Sequence, residues 1–261
     1  MRVATWNVNS VTARVPRLVQ WLEEAAPDVV CLQETKVAQE AFPVEAVAGL
    51  GYEVAHCGQG RWNGVAVLSR VGLADVRAGF DGQPAYDDLV EARALTAVCG
   101  PVCVTSVYVP NGREPDHPHY AYKLEWLAEL RAAIAADAAG ERPYAVLGDF
   151  NVAPTDADVW DRAAFEGSTH VTGPERAAIE GLVGLGLADL QPRISKGNPY
   201  TYWDYRGGAF HQGRGMRIDL VLANAAFAAA ATDTWVDRDA RKGSGPSDHA
   251  PLVVDLTLEH R

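Results

Sequence analysis

Short apolar runs recur along this chain at residues 3–8, 29–33, 52–55, 65–69, 95–98, 102–109, 144–147, 200–205, 218–222, 232–236 and 252–256. Each is rich in β-branched, aliphatic or aromatic residues and is bounded by Gly, Pro, Asn or Asp, which is the mark of a β-strand. The turn pair Gly100-Pro101 between two of them predicts a hairpin. Helices separate only some of the runs. Residues 14–24 place Val15, Leu18, Val19 and Leu22 on one helical face, and residues 119–136 repeat the pattern with Leu124, Leu127, Leu130 and Ile134. A third stretch, 174–185, begins with Pro174 in the first turn and directs Ile179, Leu182 and Val183 inward. Many hairpin-like strands with few helices predict an α+β fold, two packed, mostly antiparallel sheets with helices outside. With no linker, fixed-period repeat or charge block to divide it, residues 1–261 read as one domain.

The 261 residues are 48% hydrophobic, enough for a sizeable core, and carry a net charge of 23 − 34 = −11. The field of the whole molecule therefore repels polyanions, and binding to nucleic acid requires a local basic patch. No apolar run approaches the ~18 residues of a membrane span. The first residues lack the apolar stretch and small-residue cleavage site of a secretory signal, so the chain reads as a soluble cytoplasmic protein. Cys31, Cys57, Cys99 and Cys103 lie in or beside apolar runs, where cysteine behaves as a small hydrophobe. No histidine or second cysteine pair completes a zinc set around Cys99 and Cys103.

The polar residues of interest gather at strand ends: Asn7 and Asn9, Gln33-Glu34, Tyr108 and Asn111, Asp149 and Asn151, Ser247-Asp248-His249, and Asp219 inside a strand. Any one of them is explained by turn formation, since Asn and Asp bond their own backbone after a strand. Together they supply carboxylates, amides and an imidazole without a cysteine. Oxygen donors such as Glu34, with Asn7 near, suit a hard cation, Mg²⁺ or Mn²⁺. Asp149 can align and deprotonate a water beside phosphorus. A carboxylate-held histidine can stay protonated and stabilise charge on phosphoryl oxygens, to which Tyr108 and the asparagines can also donate. The chemistry is metal-assisted phosphoester hydrolysis. Signatures of rival chemistries are absent: there is no P-loop, dinucleotide fingerprint, His-Glu-x-x-His or Gly-x-Ser-x-Gly.

These motifs, in order, resemble those of the exonuclease III group of the endonuclease/exonuclease/phosphatase superfamily, the bacterial class II apurinic/apyrimidinic endonucleases. The likeness runs from Thr5-Trp6-Asn7-Val8-Asn9-Ser10 to Ser247-Asp248-His249-Ala250-Pro251. Between them come Gln33-Glu34-Thr35-Lys36, Tyr108-Val109-Pro110-Asn111-Gly112, Gly148-Asp149-Phe150-Asn151 and Arg217-Ile218-Asp219. The resemblance implies a four-layer α/β sandwich with the site at one edge of its two sheets. It implies Glu34 as principal Mg²⁺ ligand, Asn7 close to it and Asp248 as a second carboxylate near the metal. It implies Asp149 as the residue activating water, Asn151 as its orienter, His249 on the scissile phosphate and Asp219 orienting His249. Tyr108 and Asn111 match the phosphate or leaving-group side. One-metal and two-metal schemes fit alike.

Residues 193–217 concentrate Arg193, Lys196, Arg206, Arg214 and Arg217 against one acid, Asp204, among Tyr200, Tyr202, Trp203, Tyr205 and Phe210. Basic and aromatic residues together are the two classes that grip nucleic acid. The resemblance aligns Tyr202, Met216 and Ile218 with an apolar pocket that receives a flipped-out abasic sugar, which sacrifices little stacking on extrusion. Phosphate contacts are expected from Asn9, Lys36, Asn111, Arg113, Arg214 and Arg217, with Arg61 and Lys123 as further candidates. Trp62 lies in a loop that resembles a substrate-side loop of the family, whereas His117, His119, His170 and His211 read as surface or loop residues. The implied protein is a monomeric Mg²⁺-dependent nuclease, with Mn²⁺ as substitute, acting on double-stranded DNA with abasic sites or damaged 3′ ends. It cuts 5′ to the abasic site, removes 3′-blocking groups and degrades 3′ ends. Two alternatives share part of the pattern: a superfamily phosphodiesterase acting on lipid or RNA, and a catalytically silent DNA-binding module.

Overall fold

The computed structural model describes residues 1–194 and 198–258. Lys196, one of the expected basic residues, lies outside the described residues. Among those described, the strands are β1 (Arg2–Asn7), β2 (Val29–Gln33), β3 (Glu53–Cys57), β4 (Val65–Ser69), β5 (Ala74–Ala78) and β6 (Ala94–Cys99). The second half adds β7 (Val102–Tyr108), β8 (Tyr144–Asp149), β9 (Ala188–Asp189), β10 (Asp219–Ala223), β11 (Ala231–Val236) and β12 (Leu252–Leu256). They form two six-stranded sheets, ordered β11-β12-β1-β2-β4-β3 and β5-β6-β7-β8-β10-β9. Each sheet contains one parallel pair, β1–β2 and β7–β8, and its other pairings are antiparallel. Parallel neighbours need a crossover, and the helices Val11–Ala25 and Pro118–Ala133 supply it.

Central strands are apolar on both faces because both faces are covered. In β8, Ala145 and Leu147 face the other sheet, packing in a cluster with Val3, Val29, Cys31, Val65 and Val104. Tyr144 and Val146 face outward, against Trp126, Leu127 and Leu130 of the crossover helix and Ile179 and Leu182 of helix Gly173–Val183. On the other sheet, Trp6, Val30 and Leu32 pack under Leu18, Trp21 and Leu22 of the first helix. The layers are helix, sheet, sheet, helix, as expected. Gln33 ties the sheets internally, its Nε2 donating to Ser106 Oγ at 3.1 Å.

Several expectations need correction: Val183, expected inward, is exposed, and His119, expected at the surface or in a loop, is buried in helix Pro118–Ala133. Residues 200–205 are not a strand. Tyr202 makes isolated bridges to Met216 and His249, and the chain then turns through Gly207 and Gly208, both at positive φ. Arg217 is not a DNA contact: it is fully buried, held by Asp158 at 2.6 Å and Asp189 at 2.8 Å, which raise its pKa further. Lys123 is not a phosphate contact either, because it is fully buried and paired with Glu175. The buried face of Pro118–Ala133 runs through Tyr122, Lys123, Trp126, Leu127 and Leu130, leaving Leu124 half-buried. No helix among the described residues is long and apolar enough to cross a membrane.

Gly148 is the tightest point. It adopts φ +151°, and a Cβ there would lie 2.0 Å from the carbonyl oxygen of Val107 on the neighbouring parallel strand. Neither the backbone conformation nor the space admits a side chain. Gly148→Ala is expected to cost about 3 kcal/mol or more, measurable by urea unfolding of the two proteins.

Candidate active site

The parallel pairs deliver their C-terminal ends side by side at one edge of the sandwich, where open α/β sheets place their crevices. Asn7 ends β1 opposite Gln33 of β2, with Glu34 next, while Tyr108 ends β7 opposite Asp149 of β8. Antiparallel β10 starts there too, setting Asp219 opposite Asp149. His249 arrives on the segment before β12, whose Ala250 N–H bonds Thr201. The chain bends sharply after these strands. Asn9, Glu34, Lys36, Arg113 and Asn151 all take positive φ, the clustering of backbone strain expected at functional sites.

The network is continuous. Asn7, fully buried, donates through Nδ2 to Glu34 Oε1 at 2.8 Å and to Asp149 Oδ2 at 2.9 Å. Its Oδ1 accepts the Asn9 N–H. Asp149 Oδ1 accepts the Asn151 N–H at 2.9 Å, and His249 Nε2 stands 3.8 Å from Asp149 Oδ2. Behind His249, Nδ1 meets Asp219 Oδ2 at 2.7 Å. Asn111 Nδ2 donates to Asn151 Oδ1, whose own amide donates to Val109 O. Asp248 is set apart, accepting from Asn9.

Burial and neighbours push the titrating groups apart. Burial acts to raise the Glu34 carboxyl, but Lys36 at 2.7 Å and Asn7 outweigh it and hold its pKa low. Burial raises Asp149, and Asp219 and Glu34 add to this against the pull of His249. Burial opposes the His249 imidazolium, yet Asp219 and Asp149 overcome it and lift its pKa to about 10. Tyr108 stays a phenol, pushed far up by burial and by Glu34.

Ligand atoms of Glu34, Asp149 and His249 lie within 4.8 Å of one another. The raised pKa of His249 favours the imidazolium, which offers no lone pair to a cation. The remaining donors are the oxygens of Glu34 and Asp149, a hard set that fits a hard divalent cation. Asn7 turns its nitrogen, not its oxygen, toward both carboxylates.

The outer residues divide. Lys36 is engaged with Glu34 and Asn9. Arg113 is exposed beside a cleft of about 420 Å³ lined by Trp62, Tyr86, Leu89, Arg93 and Tyr108. Arg214 is exposed, stacked 5.2 Å from Trp160, and takes no carboxylate partner among the described residues. Arg193 and Arg206 are paired with Asp233 and Asp204. Trp203 is core, with Arg238 stacked upon it at 4.8 Å. Met216 and Ile218 do come together, in an apolar cluster with Val159, Val171, Phe165 and Tyr202. The Tyr202 ring lies 4.9 Å from that of His249. Lys123, expected as a phosphate contact, and His170, expected only as a surface or loop residue, lie directly behind Asn151 together with Glu175, which the sequence did not single out.

The raised His249 pKa stabilises the fold fully below the unfolded value of about 6.5, a contribution lost as pH rises toward the folded value. In metal-free protein, the His249 ring is expected to titrate by NMR well above 6.5. Asp219→Asn is expected to bring that midpoint down.

Residues 4–249 match the Endonuclease/Exonuclease/phosphatase family. Exodeoxyribonuclease III of Haemophilus influenzae is 32% identical over 270 residues, spanning 98% of this chain and 100% of its own length. DNA repair nuclease APEX1 of Danio rerio is 27% identical, spanning 99% of this chain and 83% of its own. A 3′ phosphatase from Neisseria bound to product DNA hairpin superposes with a TM-score of 0.93 at 36% identity, covering 99% of this chain and 100% of that one. An AP endonuclease from Archaeoglobus fulgidus gives 0.92 at 34% identity, with the same coverage. The chain belongs to the endonuclease/exonuclease/phosphatase family and is a metal-dependent phosphodiester hydrolase.

Proposed function

We propose that this protein is a DNA-repair nuclease that hydrolyses the phosphodiester 5′ to abasic sites and trims 3′-terminal phosphates and nucleotides from duplex DNA, with Mg²⁺ or Mn²⁺ as cofactor. The observation that carries the reading is the Asp149 carboxylate, fixed by Asn7 and the Asn151 N–H, with the imidazolium of His249 3.8 Å away.

In this reading Glu34 and Asp149 would hold the cation, which when bound would supply Lewis-acid stabilisation of charge on the phosphate. Asp149, aimed by Asn7 and the Asn151 N–H, also orients a water for in-line attack and takes its proton. His249, kept charged by Asp219, donates to a phosphoryl oxygen as negative charge builds. Asn111, Asn151 and the protonated Tyr108 line the same side and donate to the remaining oxygens. Asp248 and Asn9 hold the loop that carries His249.

Support for an abasic sugar as the recognised lesion comes from the apolar patch of Tyr202, Met216 and Ile218 beside His249. Arg113 and Arg214, exposed and near aromatic rings, are the proposed backbone contacts. All the site's groups come from a single chain, which suits a monomer, and four unpaired cysteines suit a reducing cytoplasm.

A labelled duplex carrying one tetrahydrofuran analogue tests this directly, because that analogue resists β-elimination. Metal-dependent incision on its 5′ side, abolished by EDTA and absent from an intact duplex, is the expected result. Only 3′ shortening of both duplexes would leave an exonuclease without lesion recognition, and cleavage of neither would point to a lipid or RNA ester. Asp149→Asn and His249→Ala are each expected to lower turnover by roughly 10²–10⁴-fold. Duplex affinity in EDTA should hold, and an equal loss of both would contradict the assigned roles.

A further inference from the structure

Lys123 is a fully buried ammonium with four acceptors around it. It donates to Glu175 Oε1 at 2.5 Å, to the backbone carbonyl of Asn151 at 2.7 Å and to that of Asn111 at 3.2 Å. Glu175 is saturated in turn. Its Oε1 also accepts from Thr169 Oγ1 at 2.6 Å and the His170 N–H at 2.9 Å. Its Oε2 accepts from the hydroxyl and N–H of Thr172. A second donor reaches the same Asn151 carbonyl, His170 Nδ1 at 2.5 Å.

Burying an ion pair this deeply is poor value for stability alone, since well-packed apolar residues often do as well or better. What the cluster does locally is specific. Asn151 sits at φ +52°, a strained conformation even for asparagine unless its surroundings impose it. Its carbonyl is clamped from behind by Lys123 and His170, while in front its N–H holds Asp149 Oδ1 at 2.9 Å. Lys123 joins the loop after β7 to the loop after β8, the two that carry Asn111 and Asn151. Gly112 fits the same contact: a Cβ there would lie 2.7 Å from Thr169 Oγ1 and 3.1 Å from Lys123 Cδ.

We propose that Lys123, Glu175 and His170 are positioning residues for hydrolysis, acting through the Asn151 backbone to aim the Asp149 carboxylate. None touches the reacting atoms in this scheme. His170 is itself strained, a non-glycine residue at φ +77°, which is consistent with its ring being kept for the bond to Asn151.

The strain makes a clean test possible. Glycine suits φ +77°, so His170→Gly removes the bond to Asn151 without harming the backbone. Its expected phenotype is an unchanged melting temperature, a kcat lower by about 10-fold, the scale of one hydrogen bond, and unchanged KM and duplex Kd. Lys123→Met, assayed where circular dichroism shows it folded, is expected to lose roughly 100-fold in kcat, the cost of a misplaced reacting group. The proposal rests on hydrolysis itself and not on the lesion, so the substrate is whichever labelled duplex the unaltered protein cuts. Full kcat in His170→Gly, or a loss confined to KM, overturns it. If Lys123→Met does not fold, His170→Gly decides alone.

Discussion

Everything at the working edge of this protein depends on one side-chain amide. Asn7 gives its two amide hydrogens to two carboxylates that belong to different sheets, Glu34 after β2 and Asp149 at the end of β8. Two buried acids so close to each other repel, and each unpaired would cost several kcal/mol. The amide links them without adding charge, and its oxygen is occupied by the Asn9 backbone, which fixes which way it faces. The apolar layers on either side exist, in functional terms, to keep that bridge between the sheets from shearing.

Charge is distributed in a way the net value hides. Several cations that could have served the surface are instead spent inside: Arg217 between Asp158 and Asp189, Lys123 on Glu175, Arg93 on Glu91. The exposed face is therefore left with a few isolated arginines near aromatic rings on a chain of net charge −11. An acidic enzyme of this kind gains little from long-range attraction to a polyanion. Its hold on a substrate must come from short-range contacts at the site, which favours discrimination over avid, indiscriminate binding.

The central strands were legible because they are buried on both faces: 29–33, 65–69 and 252–256 match residue for residue. The converging polar residues were legible because a strand end fixes where its last side chain goes. What escaped was decided by distant partners. Nothing near Arg217 in the sequence announces Asp158, 59 residues away, and nothing near Lys123 announces Glu175, 52 residues away. Residues 200–205 looked like a strand because Trp203 is core, but core burial there comes from loops closing around it. Strand β5 was invisible for the opposite reason: all five of its residues are exposed, so it lacks any apolar pattern.

The order of the strands has a consequence for chemistry. Followed around the chain with its ends joined, one sheet uses β11, β12, β1, β2, β3 and β4, and the other uses β5 to β10, with the same neighbours and the same single parallel pair. The molecule is thus two halves of like strand topology, one split by the insertion of the other, packed face to face. Glu34 and Asp149 stand at nearly corresponding posts, just at or past the end of the second strand of each parallel pair. What distinguishes them is the residue two places further on, a lysine after Glu34 and an asparagine after Asp149. The lysine, with Asn7, holds the Glu34 pKa low, while burial and the nearby Asp219 and Glu34 raise that of Asp149. A frame of repeated topology becomes an asymmetric catalyst through the neighbours each carboxylate keeps, a lysine beside Glu34 and a histidine with its aspartate beside Asp149.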